Sequence, residues 1–340
     1  MKLSPGKYWG MRRLADEQGR WKMIAIDQRT PLMQPIAQKR GLKEAPYDDL
    51  ANVKTAVTRH LSPHSSAMLL DPNYAYPGCV ESMPPSVGLI LSLEHHLTQE
   101  SPQGRRSLVI PHWSAAKIRR IGADAVKLLV WYRPDADPAV VEHQQAFVRQ
   151  IGRECTAQDI VLLLELLVYA LPGDAPDYLA THRTRLVIDS MRDFADVSFG
   201  VDIYKLEPPV AVSAVPDPAG LQAPAVQKAY DELGALTTRP WVLLSAGAGP
   251  ADFRKSLEYA YRAGASGYLC GRAIWHGAFE RFPDFEAMNQ ALARDSVPYV
   301  AAINQLTDRL ATPWQQHGCW KDGVSLAGAG PQFCEHYPVT

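Results

Sequence analysis

The chain has 340 residues, of which 46% are hydrophobic and 21% are charged, and its formal net charge is −1. This composition is typical of a globular protein, and the near-neutral balance argues against a nucleic-acid-binding or anionic-membrane surface. No apolar run approaches the roughly 20 residues that span a bilayer, and the N-terminus lacks an apolar signal core, so we expect a cytoplasmic protein. The five scattered cysteines predict neither a disulfide framework nor a cysteine metal site.

Short apolar runs alternate with longer segments of mixed polarity along most of the chain. A leading helix is predicted over about 5–18. Strands are predicted at 23–27, 66–71, 87–92, 125–132, 160–169, 201–207, 241–245 and 267–271. Helices are predicted at about 31–40, 47–60, 114–121, 138–155, 176–195, 221–235, 251–263 and 287–310.

Eight nearly continuous apolar strands with helices between them predict a parallel sheet that is covered on both faces. Eight is the number of strands that closes into a barrel. An open doubly wound sheet is the alternative, but no GxGxxG motif follows the first predicted strand. We therefore expect an α/β fold, a (β/α)8 TIM barrel with an N-terminal extra helix and a C-terminal helical extension. The barrel domain is predicted over 1–312, and the aperiodic tail over 313–340 is expected to pack on the barrel or at a subunit interface.

Charged side chains lie in or just after almost every predicted strand. Catalytic groups of barrel enzymes lie at the C-terminal ends of strands and point inward. Any one such residue is as easily explained as a buried ion-pair partner, and we interpret Asp71 and Glu94 as structural. A lysine, a glutamate and a lysine on three consecutive strands are much harder to explain by packing. The candidates in chain order are Asp27, Gln28, Arg29, Lys127, Glu165 and Lys205.

An anion site is predicted after the last two strands. The seventh strand ends in SAGAG, which contains Ser245 and Gly247, and the eighth ends in CGR, which contains Gly271 and Arg272. Small residues let backbone N–H groups approach an anion, and a helix N-terminus adds its dipole. Barrels commonly hold phosphate in these two loops, so we prefer phosphate binding to a simple tight turn.

The strand segments also resemble a known family, the tagatose-1,6-bisphosphate aldolases. The similarity lies in MIAIDQR, LLDP, AVKLLVWY, LLLELLVY, VDIYKLEPPV, WVLLSAG and AGASGYLCGRAIW, and extends from about residue 5 to about 312. These are class I aldolases of the (β/α)8 type, and sulfofructose-phosphate aldolases are their relatives. The resemblance implies that Lys205 forms a Schiff base, that Glu165 is the acid/base group, and that Lys127 is a second site lysine. One departure, DQRT where related sequences tend to have DQRG, lies at the expected substrate mouth.

The expected reaction is reversible cleavage of a ketohexose 1,6-bisphosphate (tagatose 1,6-bisphosphate or an epimer) to dihydroxyacetone phosphate and glyceraldehyde 3-phosphate. Burial and a neighbouring cation such as Lys127 favour the neutral amine that attacks a ketone. Glu165 is expected to take the proton of the substrate hydroxyl, and Asp27 to orient hydroxyls or relay protons. Arg29 is the candidate for the anion at the other end of the sugar.

Two alternatives remain open at this stage. One is a 6-deoxy-6-sulfofructose-1-phosphate aldolase, which gives dihydroxyacetone phosphate and sulfolactaldehyde. The other is a non-catalytic sugar-phosphate-binding regulator on the same fold. No metal or other cofactor is expected, because the histidines show no ligand spacing and the adjacent His95 and His96 should point apart on a strand or helix. We expect a small sugar phosphate as the ligand and a homo-oligomer, a dimer or larger.

Overall fold

A closed barrel of eight parallel strands forms the centre of the molecule. The computed structural model describes residues 1–337. Each strand pairs with its neighbours in chain order, and the last pairs with the first, which confirms the predicted barrel. The barrel strands are β1 Trp21–Ala25, β2 Ala67–Leu70, β3 Gly88–Ser92, β4 Ala125–Trp131, β5 Val161–Leu167, β6 Ile203–Leu206, β7 Trp241–Leu243 and β8 Gly267–Cys270.

Alternation along the strands divides the side chains between the barrel interior and the surrounding helices. Ala125, Leu163 and Ile203 belong to the apolar cluster that fills the lower interior. Two residues further along the same strand faces come Lys127, Glu165 and Lys205. The register places Glu165 opposite Lys205 across β5 and β6, so this charged layer lies directly above the apolar one.

Helices surround the barrel, and their burial patterns follow from sequence. The helix after β4 begins with Pro138, is capped by the Asp137 side chain, which accepts from the Ala139 N–H, and buries Val148, Ile151 and Cys155 on one face. The longer helices are Pro5–Arg13, Thr30–Arg40, Tyr47–Leu61, Ala115–Ile121, Pro138–Ala157, Tyr178–Asp193, Ala223–Leu236, Pro250–Arg262, Arg272–Phe279, Phe285–Ala291 and Val297–Leu310, with short ones at Tyr76–Cys79 and Phe333–His336. No helix within residues 1–337 is long and apolar enough to cross a membrane.

The C-terminal segment contacts the N-terminal end of the barrel. Trp314 stacks on Trp21 of β1 with ring centroids 6.4 Å apart, and Trp320 packs edge-on against Trp314. Lys2–Leu3 pairs in parallel with Ser325–Leu326. These contacts close the barrel at the end opposite the charged layer. The predicted domain division at residue 312 stays a prediction, and 338–340 lie outside the described residues.

Several predicted boundaries differ from the structure. The leading helix ends at Arg13 rather than near residue 18, because Asp16 accepts hydrogen bonds from the N–H groups of Gln18 and Arg20 and forms a turn. The predicted helix over 287–310 is interrupted by a π-helical turn at Leu292–Ser296. An antiparallel hairpin that was not predicted, Gln99–Ser101 with Gly104–Arg106, follows β3.

Candidate active site

Two lysines share one carboxylate at the C-terminal end of the barrel. The Glu165 Oε2 atom lies 2.9 Å from the Nζ of Lys127 and 2.9 Å from the Nζ of Lys205. Lys127 has two further carboxylate partners, Asp27 at 2.9 Å and Glu94 at 2.8 Å. Lys127, Glu165 and Lys205, which were singled out on three consecutive strands, are therefore joined through the Glu165 carboxylate.

Charge pairing sets the protonation states in this cluster. Burial alone would lower the pKa of Lys127, but Asp27, Glu165 and Glu94 outweigh burial and raise that pKa well above its ordinary value. Burial would raise the pKa of Asp27 and of Glu165, but Lys127 and Lys205 hold both below their usual range. Lys127 is therefore an ammonium, and Asp27 and Glu165 are carboxylates, at neutral pH.

Glu94 is the residue of this cluster that sequence analysis interpreted as structural. It bridges two cations, since its Oε1 lies 2.8 Å from Lys127 and 3.2 Å from Arg29, and its main-chain oxygen accepts from Arg29 Nη1 at 2.9 Å. Its Oε2 accepts from the Leu129 N–H. Glu94 thus joins the candidate site residues, and its position just past a predicted strand was the signal that could have identified it.

Asp71 instead has a structural role beside the site, through its ion pair with Lys54. It pairs at 2.6 Å with the fully buried Lys54, whose Nζ also donates to the main-chain oxygens of Ile26 and Gln28. Burial lowers the pKa of Lys54. Lys54 therefore holds the chain just after β1 in place, where Asp27, Gln28 and Arg29 begin the loop.

A cavity of about 590 Å³ opens above the charged layer. We call it the lysine cavity. Gln28 is one of its walls, and the Oε1 atom of Gln28 is buried without a hydrogen-bond partner in the described structure. The predicted site residues that line the lysine cavity are Asp27, Gln28, Arg29, Lys127, Glu165, Lys205 and Arg272.

A second cavity, also of about 590 Å³, meets the first at Arg272. We call it the glycine cavity, because Gly247 and Gly249 line it together with the first residues of the helices Pro250–Arg262 and Arg272–Phe279. The exposed Arg272 side chain lines both cavities. The glycine cavity thus combines a cation, small residues and two helix N-termini, which is an arrangement suited to an anion.

Two predicted anion-site residues line neither cavity. The main-chain oxygen of Ser245 accepts from the Ala248 N–H and closes the turn after β7. A side chain at Gly271 would have its Cβ 2.4 Å from the main-chain oxygen of Ala25 and 3.0 Å from Gln28 Nε2. These two residues therefore shape the turns, and direct contact of either with an anion stays a prediction.

The expectation that His95 and His96 point apart is wrong. They lie in the irregular segment after β3, on neither a strand nor a helix, and their ring centroids are 4.5 Å apart. Both line the lysine cavity. Burial, with Arg29 and His95 nearby, lowers the pKa of His96 and keeps its ring neutral. Within residues 1–337 no three His, Cys, Asp or Glu side chains are grouped so that they could hold a metal ion, and the absence of a cofactor stays a prediction.

Solved structures with the same fold include fructose-bisphosphate aldolases. An archaeal fructose 1,6-bisphosphate aldolase is 17% identical and superposes with a TM-score of 0.59, covering 88% of this chain and 98% of that one. The fructose-bisphosphate aldolase from Plasmodium falciparum is 12% identical with a TM-score of 0.65, covering 92% and 98%. At these identities the likeness shows the fold.

Sequence comparison reaches closer relatives. Tagatose 1,6-diphosphate aldolase 2 of Streptococcus agalactiae serotype III is 34% identical over 331 residues, which cover 93% of this chain and 99% of the relative. Tagatose 1,6-diphosphate aldolase 2 of Streptococcus mutans serotype c is 32% identical over 326 residues, covering 93% and 98%. A family profile described as DeoC/LacD family aldolase matches residues 22–277. The chain therefore belongs to the DeoC/LacD family of aldolases.

Proposed function

We propose that the protein is a class I aldolase that cleaves a ketohexose 1,6-bisphosphate, with tagatose 1,6-bisphosphate as the first candidate substrate. The names of its relatives, which match almost end to end, support this substrate. The products are dihydroxyacetone phosphate and glyceraldehyde 3-phosphate.

The observation that carries the proposal is the unequal pairing of the two lysines. Lys127 has three carboxylates within 2.9 Å and stays charged, so it is a poor nucleophile. Lys205 has one carboxylate partner among the described residues, and it shares that partner with Lys127. An amine must be neutral to attack a ketone. We therefore assign the imine to Lys205 and an electrostatic role to Lys127.

The proposed reaction begins when the neutral Lys205 amine attacks the C2 ketone to give a carbinolamine, which takes up one proton from solvent and loses water to give an iminium. Glu165 accepts the proton of the C4 hydroxyl, the C3–C4 bond breaks, and its electron pair moves into the iminium to form an enamine. The aldehyde product then leaves. Protonation of the enamine at C3 and hydrolysis of the imine release dihydroxyacetone phosphate and restore Lys205. The iminium supplies the electron sink, so the proposal requires no metal or other cofactor.

Binding is assigned to the walls of the two cavities. We propose that Arg272 and the backbone around Gly247 hold the C1 phosphate in the glycine cavity, which places the adjacent C2 ketone in the lysine cavity. Asp27 and the unpaired Oε1 of Gln28 accept sugar hydroxyls. Ser245 and Gly271 support these contacts through the turns that they form. Arg29 remains a candidate for the second anion.

A cleavage assay in the presence of EDTA tests the proposal. We expect the wild-type protein to cleave tagatose 1,6-bisphosphate, and Lys205→Met to lose turnover. Lys228→Met is the matched control, because Lys228 is an exposed lysine on the helix Ala223–Leu236. Turnover of the sulfonate substrate alone would identify a sulfofructose-phosphate aldolase, and binding without turnover of either substrate would identify a regulator. A homo-oligomer and a cytoplasmic location stay predictions, and sedimentation of the purified chain tests the first.

A further inference from the structure

The hairpin that sequence analysis missed lies at the rim of the lysine cavity, and its position is fixed. The Arg105 N–H donates to the Tyr169 Oη at 2.8 Å, and a Cβ on Gly104, whose φ is 139°, would lie 2.6 Å from the same oxygen. Just after the hairpin, Gln144 accepts from the Ser107 N–H at 2.9 Å and donates to the Trp131 main-chain oxygen at 2.8 Å. The hairpin is thus tied to the ends of β4 and β5.

The Arg105 guanidinium packs against two aromatic rings. Its Cζ lies 5.1 Å from the ring centre of Trp131 and 4.8 Å from that of Tyr169, and the two rings are nearly perpendicular. Contact of this kind with aromatic rings restrains a guanidinium while leaving N–H groups free for an anion. Neither Nη atom has a hydrogen-bond partner within residues 1–337, and the side chain is 30% exposed.

Within residues 1–337 Arg105 makes one ion pair, and it is weak. Its Nε lies 3.2 Å from Glu100 Oε1, on the opposite strand of the hairpin, and the Glu100 side chain is 65% exposed. Exposed pairs of this kind contribute little stability. Arg29, by contrast, is buried and makes two contacts with Glu94. Apart from Arg272, which is assigned to the C1 phosphate, Arg105 is therefore the arginine of the lysine cavity whose Nη atoms have no hydrogen-bond partner within residues 1–337.

We propose that Arg105 binds the anion carried by the aldehyde half of the substrate, and so selects for it. The inference rests on the proposed function: Arg272 lies where the two cavities meet, Lys205 lines the cavity between, and Arg105 lies on the hairpin at its rim. The ligand class is a three-carbon aldehyde with a terminal tetrahedral oxyanion, a phosphate or a sulfonate. A guanidinium can donate two parallel hydrogen bonds to such a group.

Condensation kinetics test this assignment. Dihydroxyacetone phosphate is offered with glyceraldehyde 3-phosphate, with sulfolactaldehyde or with uncharged glyceraldehyde, and kcat/KM is measured for each aldehyde. We expect Arg105→Ala to reduce the ratio of kcat/KM for glyceraldehyde 3-phosphate over glyceraldehyde by roughly 10–100-fold, the value of a hydrogen-bonded charged contact. Arg105→Lys should retain part of the ratio, because an ammonium keeps the charge but loses the planar fork.

A neighbouring arginine provides the control. Arg106 does not line the lysine cavity but a smaller one with Asp137 and Val140, which shares Glu100 with it, so Arg106→Ala should leave the ratio unchanged. Glu100→Gln removes the carboxylate that competes with the incoming anion, so it should increase the ratio of kcat/KM for glyceraldehyde 3-phosphate over glyceraldehyde. This variant is the second test if Arg105→Ala does not fold. The wild-type preference between the phosphorylated and sulfonated aldehydes identifies the natural anion.

Two failures are distinguishable. Wild-type protein that condenses none of the three aldehydes would refute the proposed function itself. If the wild-type protein is active and the ratio of kcat/KM for glyceraldehyde 3-phosphate over glyceraldehyde is the same in Arg105→Ala as in Arg106→Ala, only the role of Arg105 is refuted. An equal loss with charged and uncharged aldehydes would show that Arg105 supports the cavity wall, and that result would also overturn the assignment.

Discussion

Replacing Lys127 with methionine is expected to destabilise the protein more than the same replacement of Lys205. The ammonium of Lys127 compensates three buried carboxylates, at 2.8 and 2.9 Å. Removing one partner of a buried ion pair typically costs about 3–5 kcal/mol, because the opposite charge is left without compensation. We therefore expect Lys127→Met to lower the free energy of unfolding by about 3–5 kcal/mol.

Lys205→Met leaves Glu165 paired with Lys127. The loss is then one hydrogen bond to a carboxylate that keeps another cation, which is worth about 1–3 kcal/mol. Urea unfolding followed by circular dichroism measures both variants, and Lys228→Met is the surface control. A larger decrease in the free energy of unfolding for Lys127→Met than for Lys205→Met would identify Lys127 as the electrostatic lysine without any assay of activity.

The decrease in the free energy of unfolding caused by Lys127→Met should depend on pH. Asp27 and Glu165 have their pKa held low, and Lys127 has its pKa held high, so the stability from this cluster is full between about pH 4.5 and 10. It is lost as the pH falls through the folded-state pKa of the carboxylates. The difference between wild type and Lys127→Met should therefore shrink in acid. Equal losses for the two lysine variants, or a Lys127→Met deficit that is the same at pH 7 and pH 3, would refute the charge assignment.

Three further outcomes are expected. Glu165→Gln should slow cleavage by roughly 10²–10⁴-fold in steady-state assays, because the amide cannot accept the hydroxyl proton. Arg272→Ala should raise KM for the bisphosphate and leave kcat less affected, because Arg272 is assigned to phosphate binding. His317, whose pKa burial lowers to about 4, should remain neutral in the folded protein. Stability should then fall as the pH drops from about 6.5 toward 4, and His317→Gln should flatten that part of a thermal-unfolding profile.

Each of these has a contradicting result. Near-normal turnover by Glu165→Gln would move the proton transfer to another group, with Asp27 the first to test. A fall in kcat of Arg272→Ala at saturating substrate, with KM unchanged, would argue against phosphate binding. An unchanged slope between pH 6.5 and 4 in His317→Gln would show that His317, which accepts from the Cys319 N–H, does not couple the C-terminal segment to pH.

The barrel could be predicted because its strands repeat one simple pattern. Each is a short apolar run buried on both faces, so a charged residue within it is conspicuous. Lys127, Glu165 and Lys205 were found in this way, and the structure brings all three together. Period-two alternation also placed Lys205 on the inward face, because Ile203 two residues earlier fills the barrel interior.

Residues in irregular segments were harder to find. Glu94 lies two residues beyond the end of β3, and only the folded backbone shows that it reaches Lys127. The hairpin over 99–106 is polar and short, so it has no hydrophobic alternation to reveal it. Arg105 contacts Trp131 and Tyr169, which lie at the ends of two different strands. The local sequence around Arg105 does not indicate these contacts, because they form only when the chain folds.

Trapping of the imine tests the central assignment most directly. The protein is incubated with dihydroxyacetone phosphate, reduced with borohydride and digested, and the modified peptide is located by mass spectrometry. We expect one adduct, on Lys205, that persists in Lys127→Met and is absent from Lys205→Met. An adduct on Lys127, or no adduct in an enzyme that cleaves its substrate, would contradict the assignment of Lys205 as the nucleophile.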